Sequence, residues 1–478
     1  MQPFPCKTKI IATIGPASAA PRRLRQLLAA GVNGFRLNLS HGDFAAHAEV
    51  IGRVRELARA MHRSVAVLVD LPGPKMRLGR LAAPVAVRRG ERVCFCPDGE
   101  GAPAAGVCLP HQIDGLAERV RPGMVIHVGD GMLQFRVKEV RGPVVEAETL
   151  VAGVVHSGKG VNVPGYEPPG GVLTPMDRRG LAFAAAQRVD LVCVSFVGGP
   201  EELVTARRVL GGPAGHSPAL VAKIERPQAV AHLDGILAVA DAVMVARGDL
   251  GIELPIEDVP VLQKEIVRRA NLAAKPVIVA TQMLLSMVDN ARPTRAEVTD
   301  VANAILDGAD AIMFSEETAI GRDPAGVVRT ARRIAKRTER ALPGLGNSGA
   351  AAIRASIRRA EGVDDLICSA AFDILSNHTV DLAVTPTASG TTARRIARLR
   401  PRPWIVAVTD NQTSANILSL SFGVAVLLVP DAALPDSGLA ALLKQEGLIH
   451  PGQRMVITAG SPFGVSGTTN SLRILDVC

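Results

Sequence analysis

Aromatic residues are nearly absent from this chain: Phe, Tyr and Trp make up 3% of its 478 residues, with a single Trp and a single Tyr. Proteins that grip single-stranded nucleic acid need aromatic faces interleaved with basic side chains. Here the basic residues are scattered as Arg pairs rather than drawn into a stripe. The net charge of +9 therefore reads as an arginine-rich surface and not as a nucleic-acid footprint. No apolar run approaches about 20 residues, so no membrane-crossing helix and no membrane partner is expected. A charged leader with an apolar signal core is also missing ahead of the strand-like Lys9-Ile-Ile-Ala-Thr-Ile14, and the expected location is the cytoplasm. The seven cysteines (Cys6, Cys94, Cys96, Cys108, Cys193, Cys368 and Cys478) are odd in number and contain no Cys-x-x-Cys pair. They fit neither a disulfide framework nor a zinc site, and agree with a reducing compartment.

What is present is ordinary for a globular enzyme, 47% hydrophobic and 21% charged. The length suggests roughly two to four domains. Short β-rich apolar runs alternate with stretches of helical period, the pattern of βα units and a parallel sheet. Expected strands are 10–14, 34–38, 65–70, 191–195, 220–224, 242–246, 276–280 and 310–314, with helical patterns such as 43–62, 256–273 and 294–307 between them. Eight such units predict a (β/α)8 TIM barrel. From Pro72 to about Gly171 the alternation stops. Segments such as Met124-Val-Ile-His-Val and Leu133-Gln-Phe-Arg-Val-Lys-Glu-Val have period two, which predicts a β-barrel domain inserted after strand three. Beyond the Gly/Ala-rich stretch 341–352 the alternation resumes. The expected domains are thus a discontinuous catalytic barrel (1–71 and 172–340), an inserted β lid (72–171) and a C-terminal α/β unit (353–478).

A TIM barrel places its site at the C-terminal ends of its strands. Those ends are polar here: Arg36 and Asn38 after strand two, Asp70 after three, Ser195 at four, Lys223 and Glu225 after five, Arg247 and Asp249 after six, Thr281 after seven, Ser315 and Glu316 after eight. Buried charges are costly unless paired or bound to a metal. Glu225 and Asp249 could offer oxygen ligands to Mg2+, which binds few carboxylates and leaves positions open for substrate. Lys223, Arg36 and Arg77 could neutralise a transferring phosphoryl group. The N–H groups of Gly248 and Asp249, at a strand-to-helix turn, suit a substrate carboxylate.

In this order, the residues resemble the pyruvate kinase family over essentially the whole chain. The resemblance rests on Lys7-Thr-Lys-Ile-Ile-Ala-Thr-Ile-Gly-Pro-Ala-Ser18, Arg36-Leu-Asn-Leu-Ser-His-Gly-Asp43, Gly158-Lys-Gly-Val-Asn-Val-Pro164, the Lys223 and Asp249 motifs, and the block from Ala280 to Ala319 that contains Arg292-Pro-Thr-Arg-Ala-Glu-Val. It implies phosphoryl transfer from phosphoenolpyruvate to ADP, giving pyruvate and ATP, with the inserted domain closing to exclude water. It implies that Lys223 stabilises the transferring phosphoryl group and that Glu225 and Asp249 hold Mg2+ or Mn2+. Arg36 would hold the phosphate, Gly248, Asp249 and Thr281 the carboxylate, and Thr281 would lie near the proton delivered to the enolate. Asn38, His41, Arg77 and Lys159 match nucleotide positions. A homotetramer is the family's habit.

Four departures carry expectations of their own. Asn38, Ser40, Asp70 and the Leu71 carbonyl would form the family's potassium site, yet Lys75 stands where most members carry Glu and Leu71 where most carry Thr. A lysine ammonium is a compact point charge. It could replace the cation, so K+ is not expected to be required. Gly158 replaces the first of two lysines before Gly-Val-Asn, and Glu316 replaces a usual Gly. In the last unit, Thr387-Ala-Ser-Gly-Thr-Thr392 resembles the loop with which the family binds a phosphorylated effector. Thr387, Ser389, Gly390, Thr391 and Thr392 either bind such a ligand, a sugar phosphate or AMP, or merely cap a helix. Two other functions share part of this pattern: a Mg2+-dependent aldolase or lyase acting through a pyruvate enolate, and a weakly active regulatory paralogue.

Overall fold

Eight apolar runs close into one ring of parallel strands: Lys9–Thr13, Gly34–Asn38, Ala66–Asp70, Leu191–Val194, Ala219–Ile224, Ala242–Ala246, Val277–Ala280 and Ala311–Phe314. The computed structural model describes residues 6–74, 76–98, 107–129, 131–165, 171, 173–211, 217–345, 353, 355, 362–460 and 468–478. Each strand is short and almost wholly apolar because helices cover its outer face while the barrel fills its inner one. The period of two divides the residues. Ile11, Leu68, Cys193, Val221, Met244, Ile278 and Met313 pack together inside, whereas Ile10, Ala12, Val67, Val69, Val192 and Val243 join the layer under the helices.

The lower rim of the barrel is held by a repeated device. A polar residue just ahead of one strand accepts an N–H from the first or second residue of a neighbour: Asn33 from Ile10, Asp190 from Val67, Asp241 from Leu220 and Asp310 from Val277. These groups satisfy strand ends that would otherwise be buried unpaired.

Between the third and fourth barrel strands the chain forms a mostly antiparallel seven-stranded sheet. Its strands are, in spatial order, Met76–Arg77, Gly160–Asn162, Val125–Val128, Leu133–Arg141, Val144–Val151, Arg92–Pro97 and Val107–His111. A bridge between Leu78 and His111 joins the two ends, so the sheet closes on itself around Phe95 and Phe135, which meet edge-on at 5.4 Å. Asp177 ties both crossings into this unit. It caps the helix Pro175–Ala186 together with Thr174, and its Oδ1 accepts the Gly73 N–H at 3.0 Å. Gly73 has a φ of 67°, and a Cβ there would lie 2.7 Å from the Phe196 ring, so the entry turn requires glycine.

The last unit is a five-stranded sheet with helices, in the order Val424–Leu428, Trp404–Thr409, Leu382–Pro386, Arg454–Gly460 and Thr469–Asp476. The final strand runs antiparallel to Arg454–Gly460, a pair that lies beyond the alternation read from the sequence. This sheet sits beneath the barrel. Leu420 enters the inner barrel core, and a Cβ on Gly34 would be 3.0 Å from it. Lys9 Nζ donates to the Val424 carbonyl at 2.6 Å and Asn416 Nδ2 to Asp190 at 3.0 Å.

Candidate active site

The inner-face alternation that packs Ile11, Leu68, Cys193 and Val221 also decides what points into the barrel mouth. Two residues further along the same strands come Thr13, Asp70, Ser195 and Lys223. They form one connected cluster with Arg36. Arg36 donates to Asp70 Oδ2 at 2.7 Å and to Thr13 Oγ1 at 3.1 Å. Lys223 Nζ lies 3.3 Å from Asp70 Oδ1, 2.7 Å from Glu225 Oε1 and 2.8 Å from Ser195 Oγ. The Ser195 hydroxyl in turn donates to the Leu71 carbonyl at 2.7 Å.

Electrostatics set the charge states. Burial alone pulls the Lys223 ammonium down, but Asp70, Glu225 and Asp249 together outweigh it and hold Lys223 above its ordinary value. It stays a cation. Burial pushes Glu225 up to about 7, with Asp249 adding repulsion and Lys223 pulling back. Glu225 Oε2 accepts the Phe196 N–H at 2.7 Å, and Phe196 sits at a φ of 57°, a costly backbone for a bulky residue.

Glu225 Oε1 is buried and faces the ammonium without the geometry of a hydrogen bond. A buried carboxylate oxygen ion-paired with Lys223, a second carboxylate on Asp249 close enough to raise its pKa, and a mouth open to substrate fit a hard divalent cation. Among the described residues no group of three or more His, Cys, Asp or Glu is placed to hold a metal unaided. A two-carboxylate seat leaves the remaining positions to substrate oxygens and water.

Across the mouth, Thr281 Oγ1 accepts the Gly248 N–H at 2.9 Å and donates to the Ala280 carbonyl at 2.6 Å. Thr281 adopts a φ of 70°. Arg247 holds this turn: it donates to the Ala280 and Thr281 carbonyls at 3.2 and 2.7 Å and pairs with Asp300. Below it, Glu317 is buried and accepts from Leu284 N and Ser315 N at 3.1 and 2.8 Å, with burial raising its pKa. Sequence reading singled out Glu316, which is exposed, and passed over Glu317 beside it.

The expected nucleotide residues fall in two groups. Asn38 ends the second barrel strand and His41 follows it, with His41 N donating to the Asn38 carbonyl at 3.2 Å. Arg77 and Lys159 flank each other on the inserted sheet, where Arg77 pairs with Gly160 and its Nη1 donates to the Gly158 carbonyl at 3.0 Å. Glu253, half-buried behind Asp249, accepts from Gly165 N at 3.4 Å and links the inserted unit to the mouth. That contact was not foreseen.

Of the monovalent-cation set, Asn38 and Asp70 are register partners, and the Asn38 side chain accepts from Ser40 N at 3.1 Å. Ser40 Oγ is buried without a partner among the described residues, an oxygen free to meet a cation. Lys75 lies outside the described residues.

In the last unit, Thr387 Oγ1 accepts the Gly390 N–H at 2.8 Å, Ser389 and Thr391 hydroxyls meet at 3.0 Å, and Thr392 Oγ1 lies 2.5 Å from Thr469 Oγ1. Gly390 has a φ of 77°, with Leu418 2.6 Å from where a Cβ would stand. Within the loop the Ser389 and Thr391 hydroxyls meet each other, Thr387 serves the backbone, and Thr392 reaches out to Thr469.

Two family models match the chain: "Pyruvate kinase, barrel domain" over residues 6–328 and "Pyruvate kinase, alpha/beta domain" over 365–475. A pyruvate kinase of Thermococcus litoralis is 40% identical over 473 residues, covering 98% of each chain. One from Agrobacterium vitis is 41% identical over 479 residues, covering 98% of this chain and 97% of its own. Among solved structures, a pyruvate kinase from Cryptosporidium parvum superposes with a TM-score of 0.91 at 31% identity, covering 99% of this chain and 97% of that one.

Proposed function

The chain belongs to the pyruvate kinase family, which transfers a phosphoryl group from phosphoenolpyruvate to ADP, and on that premise we propose how its residues divide this work. Enzymes of the family generally need Mg2+, usually K+ as well, and are typically tetrameric.

The observation that carries the assignment is the Lys223 ammonium, buried yet held cationic between Asp70 and Glu225 at 3.3 and 2.7 Å. A group so strongly charged is a poor proton donor and a good stabiliser of negative charge. Lys223 therefore faces the phosphoryl oxygens as the P–O bond to the enol oxygen breaks and the ADP oxygen takes its place. Arg36, fixed by Asp70 and Thr13, holds the phosphate from the other side. The substrate carboxylate sits at the N–H groups of Gly248 and Asp249 beside Thr281. The bond that breaks leaves an enolate, which takes a proton at carbon on the Thr281 side to give pyruvate. Glu225 and Asp249 would hold Mg2+, or Mn2+ in the same seat, which when bound neutralises phosphoryl and enolate oxygens as a Lewis acid.

Asn38 and His41 meet the nucleotide from the barrel, and Arg77 and Lys159 from the inserted unit, so that bringing the two units together both completes the site and excludes water. The working division is 1–71 with 172–340, 72–171, and 353–478. We assign the protein to the cytoplasm as a homotetramer; among the described residues no helix is long and apolar enough to cross a membrane. Lys75 supplies the charge that K+ gives in other members, and the loop of Thr387, Ser389, Gly390, Thr391 and Thr392 takes a phosphorylated effector.

A coupled assay with phosphoenolpyruvate, ADP and Mg2+ tests the assignment. Wild type turns over, and Lys223→Met is expected to lose on the order of 10³ in kcat. A Lys223→Met enzyme within tenfold of wild type would remove Lys223 from the chemistry.

A further inference from the structure

The inserted sheet carries three of the cysteines on one face of two adjacent strands. Cys94 and Cys96 lie two apart on Arg92–Pro97, and Cys108 lies on its parallel neighbour Val107–His111, directly opposite Cys94. None of the three is in a disulfide, and the Cys108 thiol donates to the Cys96 sulfur. The Cys96 and Cys108 sulfurs are 2.7 Å apart, within about 0.7 Å of a covalent S–S bond of about 2.05 Å. Cys96 is 1% exposed, whereas Cys108 is only half-buried. Among the described residues no group of three or more His, Cys, Asp or Glu is placed to hold a metal, so the three thiols do not converge on one point.

We propose that Cys96 and Cys108 are a peroxide-sensitive dithiol that closes reversibly to a disulfide and regulates the inserted unit. The sulfur of Cys108, the less buried of the pair, attacks hydrogen peroxide: an S–O bond forms, the O–O bond breaks, and the departing hydroxide takes the thiol proton to leave as water. The Cys96 sulfur then displaces hydroxide from the resulting sulfenic acid, forming S–S and breaking S–O, and its proton leaves in a second water. Two thiols and one peroxide thus give one disulfide and two waters. Cys94 is a bystander, its thiol pushed up by burial, by Glu146 and by Cys108.

The bond would fix the strand that ends at His111. His111 bridges Leu78 at the closing seam, and the next residue, Gln112, donates its N–H to the Arg77 carbonyl at 3.2 Å. Oxidation therefore acts on the backbone that presents Arg77, and its effect on turnover rests on the nucleotide role given to Arg77 above.

The test treats the reduced full-length enzyme with hydrogen peroxide and maps its peptides without reductant. A Cys96–Cys108 linked peptide is expected, lost with dithiothreitol and retained in Cys94→Ser. In Cys96→Ser, Cys108 should remain a sulfenic acid that dimedone traps. Oxidised wild type should show at least a twofold change in KM for ADP. Thiols that stay unlinked, a Cys108 that proceeds to sulfinic acid, or a link through Cys94 would overturn the pair. A link with an unchanged KM for ADP would overturn its regulatory role. If Arg77→Ala also leaves that KM unchanged, the failure lies with the assignment of Arg77 instead.

Discussion

Arg247 grips Asp300 through two parallel contacts, Nη1 to Oδ1 at 2.6 Å and Nη2 to Oδ2 at 2.7 Å. The fork leaves Nε and Nη2 also directed at the Ala280 and Thr281 carbonyls, so a single guanidinium braces the left-handed turn that aims Thr281 at Gly248. Lysine cannot reproduce that fork. Arg247→Lys is expected to cost roughly 1.5–3 kcal/mol, as for hydrogen bonds to charged groups, and to lower kcat about tenfold or more. Steady-state kinetics with thermal melts check this. A variant with lowered melting temperature and unchanged kcat would make Arg247 a support of the fold alone.

Lys9 offers a test of how the barrel meets the C-terminal sheet. Burial lowers it from 10.5 to about 8, against the smaller upward pull of Cys6 and Glu339. Between pH 8 and 10.5 the unfolded chain holds a proton that the folded one has released, so stability from this group rises with pH over that window. The margin of wild type over Lys9→Met should therefore widen across the window, by up to about 3 kcal/mol, and stay flat below it. Urea unfolding at several pH values measures it. A narrowing margin would mean that Trp404, whose ring centre lies 5.7 Å from Nζ, stabilises the ammonium more than burial penalises it.

The barrel was legible in the sequence because its strands are apolar on both faces and end in isolated polar groups. Lys223 and Asp70 stood out at strand ends for that reason, and each expected barrel strand lies within one residue of an observed one. Ser195 was noticed at its strand end, but nothing local told its bond to Lys223 from a turn. The partners that finish the site were silent. Asp300 is 53 residues from Arg247, Asp177 is 104 from Gly73, and Glu317 is 33 from Leu284. Asp177 and Glu317 look like ordinary helix-start acids, and Asp300 like a mid-helix surface acid, until the fold brings each partner near. The antiparallel last strand was missed because Thr469–Asp476 is an edge, largely exposed and without a clean apolar period.

Lys75 gives a sharp prediction about cations. Ser40 Oγ is buried without a partner among the described residues, beside an Asp70 already shared by Arg36 and Lys223. If Lys75 supplies the missing charge, replacing K+ by Na+ at constant ionic strength leaves wild-type turnover within about twofold. Lys75→Glu should then become dependent on K+, since the restored carboxylate adds an oxygen rather than a cation. Wild-type turnover that collapses without K+ would sink the idea.

The effector loop is best tested through Thr392. Its hydroxyl lies 2.5 Å from that of Thr469, and the neighbouring Ser389 and Thr391 hydroxyls are paired at 3.0 Å. A phosphate would replace these mutual contacts with charge-assisted ones to the same hydroxyls and to the N–H groups of the turn. Thr392→Glu places a carboxylate where the anion would sit, and like charges exclude each other. Titrations with fructose 1,6-bisphosphate, a sugar monophosphate and AMP should show wild type activated by at least one of them. Thr392→Glu should lose that response, about tenfold or more in half-saturating concentration, while keeping its basal rate. Identical titrations for the two proteins would remove this loop as the site, leaving its hydroxyls as a cap for the helix Thr391–Ala397.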